Sequence, residues 1–323
     1  MKLAYLYPGR PDLSDLVPPD VAYVVLDAGP NNEWKTEDLD LLKDVDALMV
    51  WSVVVSQEAL AAARNVKIIQ RMGVGYDVLQ PILEAAAKRG IPCCNVAGSN
   101  KEAVAEHGML LILAVVRQLT PNHQATLRAE WPRQLRGEIY PFELVGKTLG
   151  IVGLGNTGTE LAKRARAFGM RIVYNDIRPI QPEIVSALEA SFLEKDELFA
   201  KSDVISINTD LNEGTRNLAD ARRLGLMKPK AILVCCARGG IIDELALRDA
   251  LNSDRIAGAG IDVFAPEPIR PDNPLLGAKN TILTPHIAGV TQESMVRSYE
   301  WAHENVRRVV ERDQQPRWIV NGL

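Results

Sequence analysis

Residues 147–176 read KTLGIVGLGNTGTELAKRARAFGMRIVYND. The apolar run Thr148–Val152 is patterned as a strand and enters Gly153-x-Gly155-x-x-Gly158. A helical pattern continues to Phe168, and a second strand pattern, Arg171–Tyr174, ends at Asp176. Strand, glycine turn, helix, strand and acid in this order describe a dinucleotide-binding unit. Gly153 permits the tight turn, Gly155 lets backbone approach a pyrophosphate, and Gly158 lets the helix pack closely on the strand. The helix N-terminus offers unpaired N–H groups and a partial positive charge to phosphates. Asp176, 18 residues beyond Gly158, is placed to accept both ribose hydroxyls, and its charge repels a 2′-phosphate, so NAD is expected rather than NADP. Arg178, two residues on, is long enough to reach a 2′-phosphate and acts in the opposite sense.

Upstream, short apolar runs alternate with helical patterns. Strands are predicted at Leu3–Tyr7, Tyr23–Leu26, Ala47–Trp51 and Lys67–Gln70, with helices at Glu37–Leu42, Gln57–Ala63 and Val78–Lys88. Downstream of the fingerprint, strands are predicted at Val204–Asn208, Ala231–Cys235, Ala257–Asp262 and Thr281–Leu283, with helices over 243–252 and 291–312. Alternation of this kind implies parallel sheets covered by helices. The fold class is therefore α/β, with two doubly wound Rossmann-like lobes and a cleft between them. No low-complexity linker separates the two series; Glu102–Leu119 reads as one long, mostly apolar helix bridging them. The last helix is expected to cross back to the first series. One lobe then combines 1–99 with 288–323 and binds substrate, and 100–287 forms the NAD-binding lobe.

Three segments follow or end the later strands: VCCARGGIIDE (234–244), GIDVFAPEP (260–268) and ILTPHIAG (282–289). Ligands of open α/β sheets gather beyond the carboxyl ends of strands, so these segments bring Arg238, Glu267 and His286 beside a dinucleotide. Redox chemistry on a hydroxy or keto acid needs such groups. A cation holds the carboxylate, a proton donor serves the carbonyl oxygen, and a carboxylate orients that donor and favours its charged form. Taken singly, each has a bland alternative: a surface ion pair, a solvated loop acid or a strand cap.

Composition excludes other classes. The 323 residues are 47% hydrophobic and 24% charged with net charge −4, an ordinary globular balance with no nucleic-acid footprint. The longest apolar run, Met109–Val116, is far short of the roughly 20 residues that span a bilayer. MKLAYLYPGR at the start is too short in its apolar part for a signal peptide. The four cysteines fall in two adjacent pairs, Cys93-Cys94 and Cys235-Cys236, with no metal-ligand spacing. A reduced cytoplasmic protein without a structural metal is expected.

RMGVGYD (71–77), the NxxxVAEH stretch Asn100–His107, GKTLGIVGLGNTG, CARGGIIDE, GIDVFAPEP and TPHIAG together resemble the D-isomer-specific 2-hydroxyacid dehydrogenase family. The resemblance runs from about 45 to 311 and is densest over 144–290. It implies NAD-dependent hydride transfer between a D-2-hydroxy acid and its 2-oxo acid, with Arg238, Glu267 and His286 as the catalytic triad. It implies that the backbone of Val74 and Gly75 helps hold the substrate carboxylate. It implies cofactor contacts from Val74, Asn156, Thr157, Asp176, Thr209, Cys236, Ala237, Arg238, Asp262, His286 and Gly289. It further implies a homodimer joined around Glu102–Val145, in which Trp131 either reaches the partner's site or anchors the interface. Trp51, Ser52, Val53 and Tyr76 are candidates for the substrate side-chain pocket, with core packing the alternative for Trp51.

The chain departs from the family at DLNEGT (210–215), where Asp210 replaces a proline near the expected adenine pocket, and at Val78-Leu79-Gln80. Little follows the last predicted helix, so no appended regulatory domain is expected. A nucleotide-sensing, corepressor-like binding protein would share the fingerprint without turnover, and the intact triad argues against it. Formate dehydrogenases call for glutamine where this chain has Glu267; phosphite oxidation stays open. The identity of the 2-hydroxy acid is also open.

Overall fold

A computed structural model describes residues 1–29, 34–131 and 141–323. The chain divides into two compact units, Met1–Asn100 with Thr291–Leu323, and Lys101–Val290.

The first unit contains β1 (Lys2–Leu6), β2 (Ala22–Leu26), α1 (Thr36–Leu41), β3 (Ala47–Val50), α2 (Gln57–Ala62), β4 (Ile68–Arg71), α3 (Leu83–Lys88) and β5 (Cys93–Cys94). Its sheet has the order β2-β1-β3-β4-β5, all pairs parallel. The reversal of order between β1 and β3 makes it doubly wound. β3 is buried along its whole length, as a parallel strand covered on both faces must be. The helix predicted over Val78–Lys88 is a 3₁₀ segment, Asp77–Ile82, followed by α3. Pro81 interrupts it, because a proline inside a helix removes a hydrogen bond and clashes with the preceding turn.

The second unit contains α4 (Lys101–Val116), α5 (Leu119–Leu127), β6 (Thr148–Val152), α6 (Asn156–Ala167), β7 (Arg171–Asn175), α7 (Pro182–Ala187), β8 (Ser191–Phe192), α8 (Lys195–Lys201), β9 (Val204–Ile207), α9 (Ala221–Leu226), β10 (Ile232–Cys235), α10 (Glu244–Asn252), β11 (Gly258–Ile261) and β12 (Thr281–Leu283). Its parallel sheet runs β12-β11-β10-β9-β6-β7-β8, with the switch point between β6 and β9. The glycine turn therefore lies at the switch point, as ligand sites of open α/β sheets do.

The long helix expected over Glu102–Leu119 ends at Val116. Gln118 adopts φ +50°, and α5 starts beyond it, bent by 64°. All of α4 is counted within the second unit. It is apolar on most sides and lies in the core, with Leu111, Ile112 and Val115 at most 1% exposed. It packs on α6 and on β10, β11 and β12. Gly260 of β11 permits this approach: a Cβ there would sit 2.8 Å from Leu111 Cβ. Among the described residues, no single helix is long and apolar enough to cross a membrane.

Residues 288–290 stay with the second unit, because the Ala288 N–H donates to Asp262 at 2.9 Å. The chain then returns to the first unit in α11 (Gln292–Val310), which packs on β3 and β4. A capping box starts it. Thr291 Oγ1 accepts from Ser294 N at 3.2 Å, and Ser294 Oγ accepts from Thr291 N at 3.1 Å. On its inner face His303 is buried. Its Nδ1 lies 2.8 Å from the Tyr299 carbonyl and its Nε2 2.5 Å from the Tyr5 hydroxyl. This pairing suits the neutral imidazole, with Nδ1–H donating and Nε2 accepting.

Burial pushes the His303 imidazole below the ordinary histidine range, against the opposing pull of its bond to Tyr299. A histidine held neutral in the fold stabilises it above the unfolded value, near pH 6.5. That stability is lost as pH falls below this value toward the folded one. Unfolding free energy measured by denaturant is thus expected to fall between pH 7 and 5.5, with His303 contributing up to about 1.4 kcal/mol per pH unit. His303→Leu should flatten this limb; equal slopes in both proteins would exclude His303 as its source.

Candidate active site

β6 delivers the chain into Gly153, which has φ +92°. A Cβ there would lie 2.8 Å from the Asn208 carbonyl oxygen at the end of β9, so the turn is closed to any side chain. At Gly158 a Cβ would fall 2.2 Å from the Gly153 oxygen, which is the close packing of α6 on β6 that the fingerprint requires. Gly155 differs: its Cβ would meet only the Arg178 guanidinium, at 3.6 Å. The surface over Gly155 is thus bare backbone. α6 has no side-chain cap, and the N–H groups of Asn156 and Thr157 have no partner among the described residues. An uncapped helix start behind bare backbone fits a pyrophosphate.

Asp176 follows β7. Its Oδ2 accepts from Leu154 N and its Oδ1 from Arg178 N, both at 2.9 Å. The carboxylate thereby ties the glycine turn to the end of β7. A carboxylate has about four acceptor positions, so two remain for ribose hydroxyls. Arg178 Nε lies 3.8 Å from Asp176 Oδ1, and its side chain is 73% exposed. Thr209, Cys236 and Ala237 sit partly exposed just beyond β9 and β10, and Gly289 sits in the loop beyond β12. These positions are at carboxyl ends of strands near the switch point.

The three triad candidates come from three strand ends of the same unit. His286 Nδ1 lies 2.6 Å from Glu267 Oε2. The other carboxylate oxygen, Oε1, accepts from Phe264 N at 3.0 Å. Half-burial raises the Glu267 carboxyl. The bonds from His286 and Phe264 and the charges of His286 and Arg238 outweigh it, and the group ends below the ordinary glutamate range. Arg238 donates from Nη1 to the Ala237 carbonyl at 2.6 Å. Next to it, a Cβ on Gly239 would stand 1.8 Å from the Phe264 oxygen. Only glycine lets the turn after β10 lie directly against the loop that carries Glu267.

His286 has φ +54°, a left-handed conformation that costs a non-glycine residue about 1–2 kcal/mol. The loop around it is tied to Asp262. His286 N donates to the Asp262 carbonyl at 2.7 Å. The Asp262 carboxylate, with no exposed surface, accepts from Thr284 Oγ1 at 2.6 Å and Ile287 N at 3.0 Å on Oδ1, and from Ala288 N at 2.9 Å on Oδ2. The family resemblance places Asp262 beside the cofactor; among the described residues, the hydrogen-bond donors to its side chain all belong to the loop that bears His286. Behind Thr284 stands His107 of α4, whose Nε2 lies 3.0 Å from Thr284 Oγ1. Sequence reading assigns neither His107 nor Thr284 a role, although both fall inside quoted motifs. Their spacing of 177 residues leaves no local signal.

In the first unit, Val74 and Gly75 follow β4. Arg71 donates from Nε to the Gly75 carbonyl at 2.9 Å, and Asn95 donates from Nδ2 to the Val74 carbonyl at 2.7 Å. With both carbonyls fixed, the N–H groups of Val74 and Gly75 have no partner among the described residues. Paired free amides at a strand end suit an anion. Arg71 lies over the Trp51 ring, 5.6 Å from its centroid, and Trp51 stacks on Tyr7 at 5.5 Å. Trp51 thus belongs to an aromatic cluster at the ends of β1 and β3.

The family described as "D-isomer specific 2-hydroxyacid dehydrogenase, NAD binding domain" matches residues 109–288. The chain is 38% identical over 267 residues to the hydroxypyruvate reductase of Thermotoga maritima, covering 81% of this chain and 84% of that protein. It is 38% identical over 279 residues to the D-3-phosphoglycerate dehydrogenase of Methanocaldococcus jannaschii, covering 85% of this chain but 52% of that protein. The chain therefore spans about half the length of this second relative. The crystal structure of the TT0316 protein from Thermus thermophilus superimposes with a TM-score of 0.85 at 33% identity, covering 99% of this chain and 100% of that one.

Proposed function

The chain belongs to the D-isomer specific 2-hydroxyacid dehydrogenase family, and on that premise we propose that it interconverts a D-2-hydroxy acid and its 2-oxo acid with NAD. The observation that carries this reading is the 2.6 Å pair of His286 and Glu267, with Arg238 close enough for its charge to act on Glu267. NADH, when bound, supplies the hydride. Its pyrophosphate is taken by the bare backbone at Gly153 and Gly155 and by the N–H groups of Asn156 and Thr157, above the packing glycine Gly158. Asp176 takes the ribose hydroxyls, and Thr209, Cys236, Ala237 and Gly289 line the remainder.

In the second unit Arg238 binds the substrate carboxylate and polarises the keto group; in the first unit the paired Val74 and Gly75 amides are the anion-binding candidate. His286 gives its proton to the carbonyl oxygen in reduction and recovers it in oxidation. Glu267 holds Nδ1, which leaves Nε2 as the nitrogen that exchanges the proton with substrate. Because Glu267 sits below its ordinary range, it stays ionised across neutral pH and accepts the hydrogen on Nδ1.

Free thiols at Cys93, Cys94, Cys235 and Cys236 support a reducing compartment, the cytoplasm. Large apolar side chains at Leu110, Leu119, Leu127, Trp131 and Val145 are 53–71% exposed. This supports a homodimer joined through the 102–145 region; residues 132–140 of that region lie outside the described residues. Light scattering at micromolar concentration should give twice the 35.5 kDa chain mass, and Leu127→Glu with Trp131→Glu should halve it. A monomer in the unmodified protein would exclude the interface.

Reduction of a panel of 2-oxo acids takes up a proton and should lose rate as pH rises, while oxidation, which gives one up, gains. His286→Ala should lower kcat by about 10²–10⁴ with little change in NADH affinity. Glu267→Gln, which removes the carboxylate from Nδ1 of His286, should lower kcat, and Arg238→Ala should raise KM as well as lower the rate. Undiminished turnover by His286→Ala at every pH would reject the assignment.

NADH should be preferred to NADPH because the Asp176 charge opposes a 2′-phosphate. Asp176→Ala should weaken NADH binding and narrow the preference, read from kcat/KM for both cofactors. Faster turnover of NADPH than NADH at equal concentration in the unmodified protein would show that Arg178, rather than Asp176, governs the choice.

A further inference from the structure

We propose that His107 and Thr284 are positioning residues for His286, acting through the buried carboxylate of Asp262. The proposal rests on His286 being the proton donor. The Thr284 hydroxyl has one proton, and the 2.6 Å contact with Asp262 Oδ1 takes it, because an ionised carboxylate only accepts. The hydroxyl oxygen is then left to accept. His107 Nε2, 3.0 Å away, is therefore the nitrogen that carries a hydrogen and donates it. The order is fixed: imidazole N–H to hydroxyl, hydroxyl to carboxylate. His107 Nε2 also stands 3.7 Å from Asp262 Oδ1, with the His107 side chain 12% exposed and that of Asp262 fully buried.

A buried carboxylate without sufficient donors is costly, and hydrogen bonds to a charged group are stronger than those between neutral groups. Among the described residues, the Asp262 carboxylate accepts three hydrogen bonds, and all three come from residues flanking His286: Thr284 before it, Ile287 and Ala288 after it. The left-handed conformation of His286 is thereby held from both sides. Thr284 is the only one of the three donors that acts through a side chain, so it is the one a substitution can remove. His107 orients that hydroxyl from α4, itself seated against β11 at Gly260. The side-chain hydrogen bonds of Thr284 and His107 run to each other and to Asp262, while the His286 imidazole bonds to Glu267. Their effect is on where the imidazole stands.

The test compares Thr284→Val, Thr284→Ser, His107→Leu and the Thr284→Val/His107→Leu double variant with the unmodified protein. Steady-state NADH oxidation is followed with glyoxylate or hydroxypyruvate, whichever the unmodified protein reduces faster. Thr284→Val keeps the shape and deletes the hydroxyl. Its kcat should fall by about 10- to 100-fold, the scale of a small misplacement of a reacting group, while both KM values stay within about threefold. Thr284→Ser should restore most of kcat. His107→Leu should also lower kcat selectively. The double variant should be no worse than Thr284→Val by more than about twofold, since residues acting along one chain are not additive.

Near-normal kcat in Thr284→Val, failure of serine to restore it, or additive losses in the double variant would each overturn the proposal. If Thr284→Val does not fold, His107→Leu decides alone: a kcat-selective loss supports the proposal and unchanged kcat rejects it. His286→Ala is run alongside. If it remains active, the proton-donor reading and this proposal both fall; if it is inactive while Thr284→Val and His107→Leu are normal, only this proposal falls.

Discussion

Asp262 holds an ionisable side chain where no solvent reaches it, and the loop that bears His286 is folded around that carboxylate. Burying a charge is tolerated only when donors surround it. Here the donors are the loop's own backbone N–H groups and one hydroxyl. Satisfying the charge and shaping the loop are therefore one requirement. The same contacts keep His286 at positive φ, a conformation the residue would not adopt by itself, and local strain of this kind persists only where surroundings over-determine it. With His286 fixed, Glu267 meets its Nδ1 at 2.6 Å.

Close backbone packing brings the other strand ends to that point. Gly239 lets the turn after β10 lie against Phe264 with no side chain between them, so Arg238 and the loop of Glu267 share one region. Gly153 does the same between the ends of β6 and β9. Both are consequences of parallel topology. Strands that all run one way present all their carboxyl ends on one edge, and loops leaving that edge crowd together. Glycine relieves the crowding where even a methyl group has no room.

Much of this is legible in the chain because its signals are local. A strand, a three-glycine turn, a helix and an acid within thirty residues constrain one another through neighbouring backbone, and the structure has each in place. Asp243 precedes a periodic apolar stripe, and its side chain does cap α10 by accepting from Ala246 N at 3.0 Å. Elements without such signals cannot be read this way. β5 and β8 are two residues each, and α7 buries no residue, so neither a period-2 nor a 3.6-residue pattern has room to appear. The break of the long apolar helix at Gln118 is hidden for a different reason: its residue types are compatible with continued helix.

By itself the sequence determined the order of elements in the dinucleotide unit, the residue types able to bind and transfer, and the family to which they belong. Each rests on spacing within a short segment, where backbone geometry translates position into place. The tertiary structure alone decided that Asp262 is enclosed by the His286 loop, that Thr284 joins it, and that His107, 177 residues away, stands behind them. Such contacts are set by which helix covers which strand end. A hydrogen bond between distant segments leaves no periodic trace in either one.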